Sequence, residues 1–444
     1  MKRKYFAVAH RTEKSISFPA CRKRKVEAEF SGGEVTSDGG MVLIRGLDRR
    51  LGLTAAVAQV LADPREAGKI THTALDLVRQ RIFGLVAGYE DLNDHDTLRH
   101  DPGFQTAVER DEALASSPTL CRFEQWGDRR TAWELHRMLV EQFIASQRSA
   151  PAELILDFDA THDPLHGKQE QAFFNGYYAQ YCFLPLYVFC GDQLLVSYLR
   201  PGNSDGAKHA WPILALLVRR LRQVWPDVRI IFRGDGGFCR PQLMRWCERK
   251  QVEYVIGLAK NAVLRRKADQ LLTEAATAWA TSGEKQRLFG EVRYGARTWS
   301  CDRRVIVKAE HTDQGSNPRF VVTSLTQPPQ ELYDELYCAR GEMENRLKEQ
   351  QLDLFADRTS CHAWWPNQFR LLLSGLAYTL VEALRRLVLT GTGLAQAQSG
   401  TIRLKLFKIG AVVMRNTRRV RFWLSSAYPD QDLFRLVATR LGTG

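Results

Sequence analysis

The sequence has no stretch able to cross a bilayer as a helix. Its longest uncharged run, Gln171 to Gly191, covers 21 residues, but Gln171, Asn175, Gln180 and Pro185 interrupt it. The more apolar pieces, Tyr181 to Cys190 and Leu371 to Val381, are 10 and 11 residues long, against the roughly 20 that a span requires. No secretory leader is expected in these residues either: after Met1-Lys2-Arg3-Lys4 only Tyr5 to Ala9 precede His10 and Arg11, too short for an apolar core. The nine cysteines are odd in number and contain no Cys-x-x-Cys pair. That pattern excludes a disulfide framework and a structural zinc site, and predicts free thiols in a reducing compartment. No internal repeat is visible. These absences predict a soluble, cytoplasmic chain with no membrane partner.

Net charge is absent from the middle of the chain. The 63 Lys+Arg against 50 Asp+Glu leave a formal charge of +13. Residues 1–30 hold nine basic and three acidic side chains, residues 401–444 hold nine and two, and everything between is neutral. Basic ends on a neutral body predict a polyanion partner, because each neutralised phosphate releases counterions. Solvated tails are the plainer alternative.

Residues from about 41 to 145 carry helical apolar spacing, as in Ala74, Leu75, Val78, Ile82 and Leu85, with turn clusters at Asn93 to Asp96 and Asp101-Pro102-Gly103. The texture changes at Glu153. Leu154 to Asp159, Tyr181 to Cys190 and Leu194 to Leu199 read as strands, followed by a helix over Ala207 to Val224, a strand at Val228 to Phe232, a helix over Gln242 to Lys250 and a strand at Tyr254 to Leu258. This order, β-β-β-α-β-α-β, describes an α/β fold with a mixed sheet covered by helices. Residues 262–282 read as helix. Arg287 to Val292, Arg303 to Lys308 and Phe320 to Ser324 then read as antiparallel strands, a β-rich insertion. Helix returns after Pro328-Pro329 and runs, with a break near Asp357 to Pro366, to about Leu389. Gly391 to Gly400 resembles a linker, and the alternation of apolar and basic residues over Thr401 to Trp423 suggests a hairpin.

Three carboxylates stand out by position. Asp159 closes the first strand within Asp159-Ala160-Thr161, and Asp235 follows the fourth within Gly234-Asp235-Gly236-Gly237-Phe238. A buried strand that ends in Asp among small residues puts a carboxylate on the rim of a sheet, although Asp is also a common turn former. If these strands are neighbours, the two groups can share a magnesium ion, which takes one or two carboxylates plus waters and phosphate oxygens. Asp157, two residues earlier on the same face, is the alternative first carboxylate. On the helix after Pro329, Tyr337, Arg340, Glu344 and Lys348 fall at i, i+3, i+7 and i+11, one stripe beside an apolar stripe of Leu336, Ala339, Met343 and Leu347. That spacing holds Glu344 sideways over strand ends, or else belongs to a solvated face of ion pairs.

Together these features resemble the insertion-sequence DDE transposases (group 1). The motif is Tyr-x-x-Arg-Gly-x-x-Glu-Asn, here Tyr337 to Asn345; Arg200 to Asn203 and Gly167 to Glu170 are similar to that group as well. The resemblance covers about residues 35–440. It implies an RNase H-like core interrupted by a β-rich insertion, with a helical N-terminal domain. The implied division is a basic N-terminal arm (1–34), a helical DNA-binding domain (35–148), the core's first part (149–260), the insertion (261–327), the core's second part with the final Glu helix (328–390) and a basic C-terminal segment (391–444). By the same resemblance Asp159, Asp235 and Glu344 bind metal and catalyse cleavage and strand transfer of double-stranded DNA, with Mg2+ or Mn2+, two ions per site. Tyr337, Arg340 and Lys348, together with Arg22, Lys23, Arg24 and Lys25 and with Arg415, Arg418 and Arg419, are the expected DNA contacts. A homodimer on DNA, acting in a bacterial cytoplasm, is implied because two element ends must be joined. Some related transposases carry Lys seven residues after the Glu; this chain has Gln351. A silent DNA-binding repressor, a domesticated transposase and a stand-alone nuclease are the competing functions.

Other residues point less clearly. His162, Asp163 and His166 have no known zinc spacing. Trp299 either packs on its hairpin or stacks on a displaced base. Trp364 and Trp365 are expected to wedge helices together.

Overall fold

The structure, a computed structural model, describes residues 15–442. The first fourteen residues of the predicted basic arm therefore lie outside the described residues.

Helices occupy most of Met41 to Ser146, and sequence signals start several of them. Thr73 and Asp76 form a reciprocal capping box at Ala74–Ala87, and the carboxylates of Asp101 and Asp128 accept from backbone amides at the starts of Pro102–Val108 and Arg129–Ser146. Val78, Ile82 and Leu85 are buried, as their spacing predicts. They share one core with the later helix Trp364–Leu384, so elements nearly 300 residues apart in sequence pack together. A buried charge cluster ties this junction: Arg81 donates to Glu124 at 2.8 Å, and Arg370 reaches the other oxygen at 3.2 Å. Glu124 must stay, because removing it leaves two buried arginines without their carboxylate.

The centre is one nine-stranded mixed sheet. Its strands lie in the order Gln286–Tyr294, Arg303–Thr312, Arg319–Thr323, Glu253–Leu258, Arg229–Gly234, Glu153–Ala160, Leu186–Cys190, Gln193–Tyr198, with Gly315–Ser316 paired to the second. Glu153–Ala160, Arg229–Gly234 and Glu253–Leu258 are mutually parallel, and every other pairing is antiparallel. Helix Ala210–Val224 leads from Gln193–Tyr198 into Arg229–Gly234, and Pro241–Arg249 connects Arg229–Gly234 to Glu253–Leu258, so the main-sheet order is the expected β-β-β-α-β-α-β. The strands of the expected insertion form as read and continue this same sheet through the pairing of Arg319–Thr323 with Glu253–Leu258.

Four local expectations change. The run Tyr181 to Cys190 is two strands, Gln180–Phe183 in a small sheet with Asp163–Pro164 and Phe173–Asn175, and Leu186–Cys190 in the main sheet. The break falls at Leu184-Pro185, where proline has no amide for the ladder. The helix over 262–282 is divided into Ala262–Lys267 and Asp269–Ser282. The Glu344 helix is also divided: a wider π-type turn, Leu332–Tyr337, ends before Arg340–Leu352 begins, so Tyr337 stands at a break ahead of its three stripe partners. Finally, the C-terminal hairpin is Ala411–Asn416 with Arg419–Leu424, while Ser399 to Phe407 is helical.

The chain just after the basic N-terminal arm pairs with the basic C-terminal segment. Val35–Thr36 adds a third strand to the C-terminal hairpin, pairing Thr36 with Ala411 and Val35 with Val412. A second hairpin, Ile16–Cys21 with Arg24–Ala28, precedes it and is exposed along nearly its whole length. Among the described residues no helix is long and apolar enough to cross a membrane, and all nine cysteines are free thiols.

Candidate active site at the rim of the parallel strands

Parallel pairing brings the first two carboxylates to one rim. Arg229–Gly234 aligns with Glu153–Ala160 so that Arg233 lies opposite Asp157 and Gly234 opposite Phe158. Asp159 and Asp235 therefore follow in step at the same ends of adjacent strands. Asp157 is already engaged: it is buried and receives both a short bond from Arg233 Nε and a 2.6 Å bond from Arg233 Nη2. The third Arg233 donor reaches the Leu336 carbonyl at 2.6 Å, which fastens the segment before Tyr337 to the sheet.

Asp235 accepts from the Gly237 amide at 2.8 Å, capping the single turn Gly236–Phe238. Behind that turn stands Gly257, a residue the sequence reading passed over. A Cβ on Gly257 would lie 2.6 Å from the Tyr337 hydroxyl and 2.8 Å from the Gly236 amide nitrogen. Glycine is what lets the Tyr337 ring and the Asp235 turn close over the neighbouring strand. The signal in the sequence was the Gly at the third position of Val255-Ile256-Gly257-Leu258, a buried strand where glycine otherwise weakens packing.

Glu344 reaches this rim through Arg340. The guanidinium donates to Asp159 Oδ2 at 2.9 Å and, by a short bond, to Glu344 Oε1 one turn on. The Asp159 side chain is only 14% exposed. Burial pushes its carboxyl up to about 6, Arg340 opposes the rise, and the like charges of Asp235 and Glu344 add to it. Burial likewise raises the Tyr337 hydroxyl, with Arg340 opposing and Asp235 adding. Acidic groups are thus crowded at the rim, with one cation bridging two of them. Among the described residues no three His, Cys, Asp or Glu side chains are arranged to hold a metal ion as they stand.

The remaining stripe residues diverge. Lys348 is exposed and makes no ion pair among the described residues. Gln351 turns the other way and donates to Asp163 Oδ1 at 3.1 Å, and at longer range to the Thr161 hydroxyl and the His162 carbonyl. It braces the loop after Asp159. Met343 and Leu347 are buried as their stripe predicts.

The basic candidates separate by environment. Arg22, Lys23, Arg24 and Lys25 form the exposed tip of the first hairpin, with Arg22 in a left-handed turn conformation (φ 58°). Arg418 and Arg419 sit exposed at the tip of the C-terminal hairpin, shaped by Asn416, which accepts from both amides. Arg415 points inward to Glu34 at 3.1 Å and Gln105 at 2.8 Å. Trp299 packs against Tyr294 and under Arg303. Trp364 is buried edge-on to Phe183, and His162 stacks on Tyr178 rather than joining a ligand set.

A mixed sheet with two adjacent strand-terminal aspartates and a glutamate helix across its rim is consistent with the class that the motifs suggested. The chain belongs to the family described as transposase DDE domain group 1, whose model matches residues 18–443. Transposases of this class use divalent metal ions. No curated protein matches the chain. A solved structure described as a piggyBac transposase synaptic complex with hairpin DNA is similar over 97% of this chain and 84% of that one, at 12% identity and a TM-score of 0.42.

Proposed function

We propose that this protein is a cut-and-paste transposase that binds the terminal inverted repeats of an insertion sequence, cleaves them and joins them to target DNA. What supports the reading is Arg340 bonded to both Asp159 and Glu344 beside the strand end that carries Asp235, in a member of the transposase family. An RNase H-like core is supported by the three-strand meander of Glu153–Ala160, Leu186–Cys190 and Gln193–Tyr198 and by the two parallel strands on the other side of Glu153–Ala160.

The donor set suits Mg2+ or Mn2+: oxygen ligands only, with Asp159 raised by burial and, further, by the charges of Asp235 and Glu344. Asp159, Asp235 and Glu344 would hold the ions, which supply a nucleophile at neutral pH and charge stabilisation at phosphorus. The chain's own residues divide the remaining work. Arg340 neutralises Asp159 and Glu344 in the free protein and turns to a DNA phosphate when its place is taken. Tyr337, held over Gly257, offers its hydroxyl to a phosphate oxygen. Lys348 supplies an unpaired charge one turn beyond Glu344, and Asp157 stays with Arg233 as a strut. The helices of residues 35–148 and the two hairpin tips carry DNA binding, and two copies of the chain hold the two ends.

The test is excision and joining of a plasmid-borne element flanked by the inverted repeats that surround the gene, in magnesium. Wild type should release and join the element, and Asp235→Asn should lower both by at least about a hundredfold. Cutting without preference for those ends would establish a stand-alone nuclease instead.

A further inference from the structure

The first part of the longest uncharged stretch of the sequence folds into a hairpin that displays aromatic rings. Phe173, Phe174, Tyr177 and Tyr181 are 43%, 54%, 89% and 56% exposed. Soluble surfaces rarely collect large apolar groups in this way without a partner. The backbone beneath them is firmly built. Asn175 accepts from the Tyr177 and Tyr178 amides and donates to the Gly202 carbonyl at 2.7 Å. Gly202 lies flat against the strands, where a Cβ would come within 2.1 Å of the Cys182 carbonyl oxygen. Register pairs Phe174 with Tyr181, and their rings meet edge to face at 5.7 Å. Tyr177 meets Tyr178 edge-on at 4.9 Å, and Tyr178 stacks on His162 at 4.1 Å.

This surface adjoins the carboxylate rim. His162 is three residues after Asp159, about 10 Å of extended backbone at most, and the pairing of Asp159 with Tyr187 puts the same strand end beside the chain that leads out of the hairpin. Burial raises the Tyr178 hydroxyl, and the charges of Asp159 and Asp235 add to the rise, as their closeness requires. No acidic side chain occurs between Gln171 and Gly191, and exposed His166 and Lys168 stand on the adjoining loop. The hairpin therefore offers rings without carboxylates of its own, and Glu170 at its edge accepts from the Trp364 amide at 2.8 Å. Aromatic faces stack on any base, and a neighbouring cation suits the phosphate that comes with it.

We propose that the hairpin Phe173 to Tyr181 is a stacking platform for unpaired nucleobases of the DNA strand whose phosphate lies at the Asp159–Asp235 rim. This rests on the transposase reading above and adds a binding surface to it. The platform takes bases by their faces, without sequence preference, and its members are Phe174, Tyr177, Tyr181 and the Tyr178–His162 stack.

The full-length protein, kept in chelator so that nothing is cut, is titrated with two probes. One is a blunt duplex; the other is the same duplex with an unpaired extension of about five nucleotides carrying 2-aminopurine. Wild type should bind the extended duplex about tenfold more tightly and quench the 2-aminopurine. Phe174→Ala with Tyr177→Ala should bring the two affinities together, and Tyr177→Trp should keep the preference; both sites are exposed, so unchanged thermal melting verifies the fold. Equal binding of both duplexes by wild type overturns the platform while leaving the transposase reading intact. A preference that survives the double substitution also overturns it, as does self-association that disappears in the double variant while neither probe is preferred. Failure of wild type to bind either duplex defeats the DNA reading itself.

Discussion

Arg340 occupies the position where charge is most needed. Two carboxylates share its guanidinium, and a third lies near enough to raise the Asp159 carboxyl further. Removing that competitor should favour a metal ion: Arg340→Met is expected to bind Mn2+ about tenfold more tightly than wild type without DNA, since one adjacent unit charge is worth that much or more. Electron paramagnetic resonance of free Mn2+ measures it, and weaker binding by the variant would show that Arg340 supports the site rather than competes for it. Cleavage by the same variant should fall, because the phosphate contact is lost. At Gly257 a single methyl decides the packing. Gly257→Ala should destabilise the protein by about 1–3 kcal/mol, read by urea unfolding, because the added carbon meets the Tyr337 hydroxyl and a backbone nitrogen. The positions of Asp159 and Asp235 at strand ends and of Glu344 on a helix were legible in the sequence, since strand and helix patterns put them there. Gly257 and the double engagement of Arg340 were not, because they depend on strand register and on contacts 181 residues apart.

Among the elements, the strands that read most clearly were those with continuous apolar runs, such as Glu153–Ala160 and Arg229–Gly234. The sequence was least legible where apolar texture continued through a change of sheet. Tyr181 to Cys190 looks like one strand, yet Pro185 divides it and sends Gln180–Phe183 to the aromatic hairpin. Periodicity also ran through the break at Cys338-Ala339, because a π-type turn of six residues is too short to disturb the apolar spacing that Arg340–Leu352 continues. The first hairpin makes a separate prediction. An isolated two-stranded hairpin is marginal in water, and four basic residues at its tip suit a phosphate backbone. Replacing Arg22, Lys23, Arg24 and Lys25 by Ser should leave the melting temperature unchanged. It should also make the dependence of log affinity for duplex DNA on log salt shallower by about 3 to 4. An unchanged slope would mean that the tip does not touch DNA.

At the scale of the whole molecule, the charge pattern has a geometric counterpart. The excess of +13 sits at the two ends of the chain, and the fold joins residues 35–36 and 411–412 in one small sheet, so both ends present their basic hairpins from a common base. Part of that charge is internal all the same: Arg403 caps carbonyls of Leu85 and Val86, Lys408 pairs with Asp38, and Arg415 faces Glu34. The sequence alone could not separate these from the exposed Arg418 and Arg419, since exposure is decided by the packing of residues 401–442 on the N-terminal helices. The neutral middle contains the carboxylate rim of Asp159, Asp235 and Glu344. The most direct measurement is magnesium-dependent cleavage of a labelled duplex that carries the inverted-repeat end, comparing wild type with Glu344→Gln. Wild type should cut at the repeat boundary only when the metal is present, and Glu344→Gln should be slower by at least about a hundredfold while binding the duplex as tightly. Equal cutting by the two proteins would contradict the assignment of Glu344, Asp159 and Asp235 as the reacting centre.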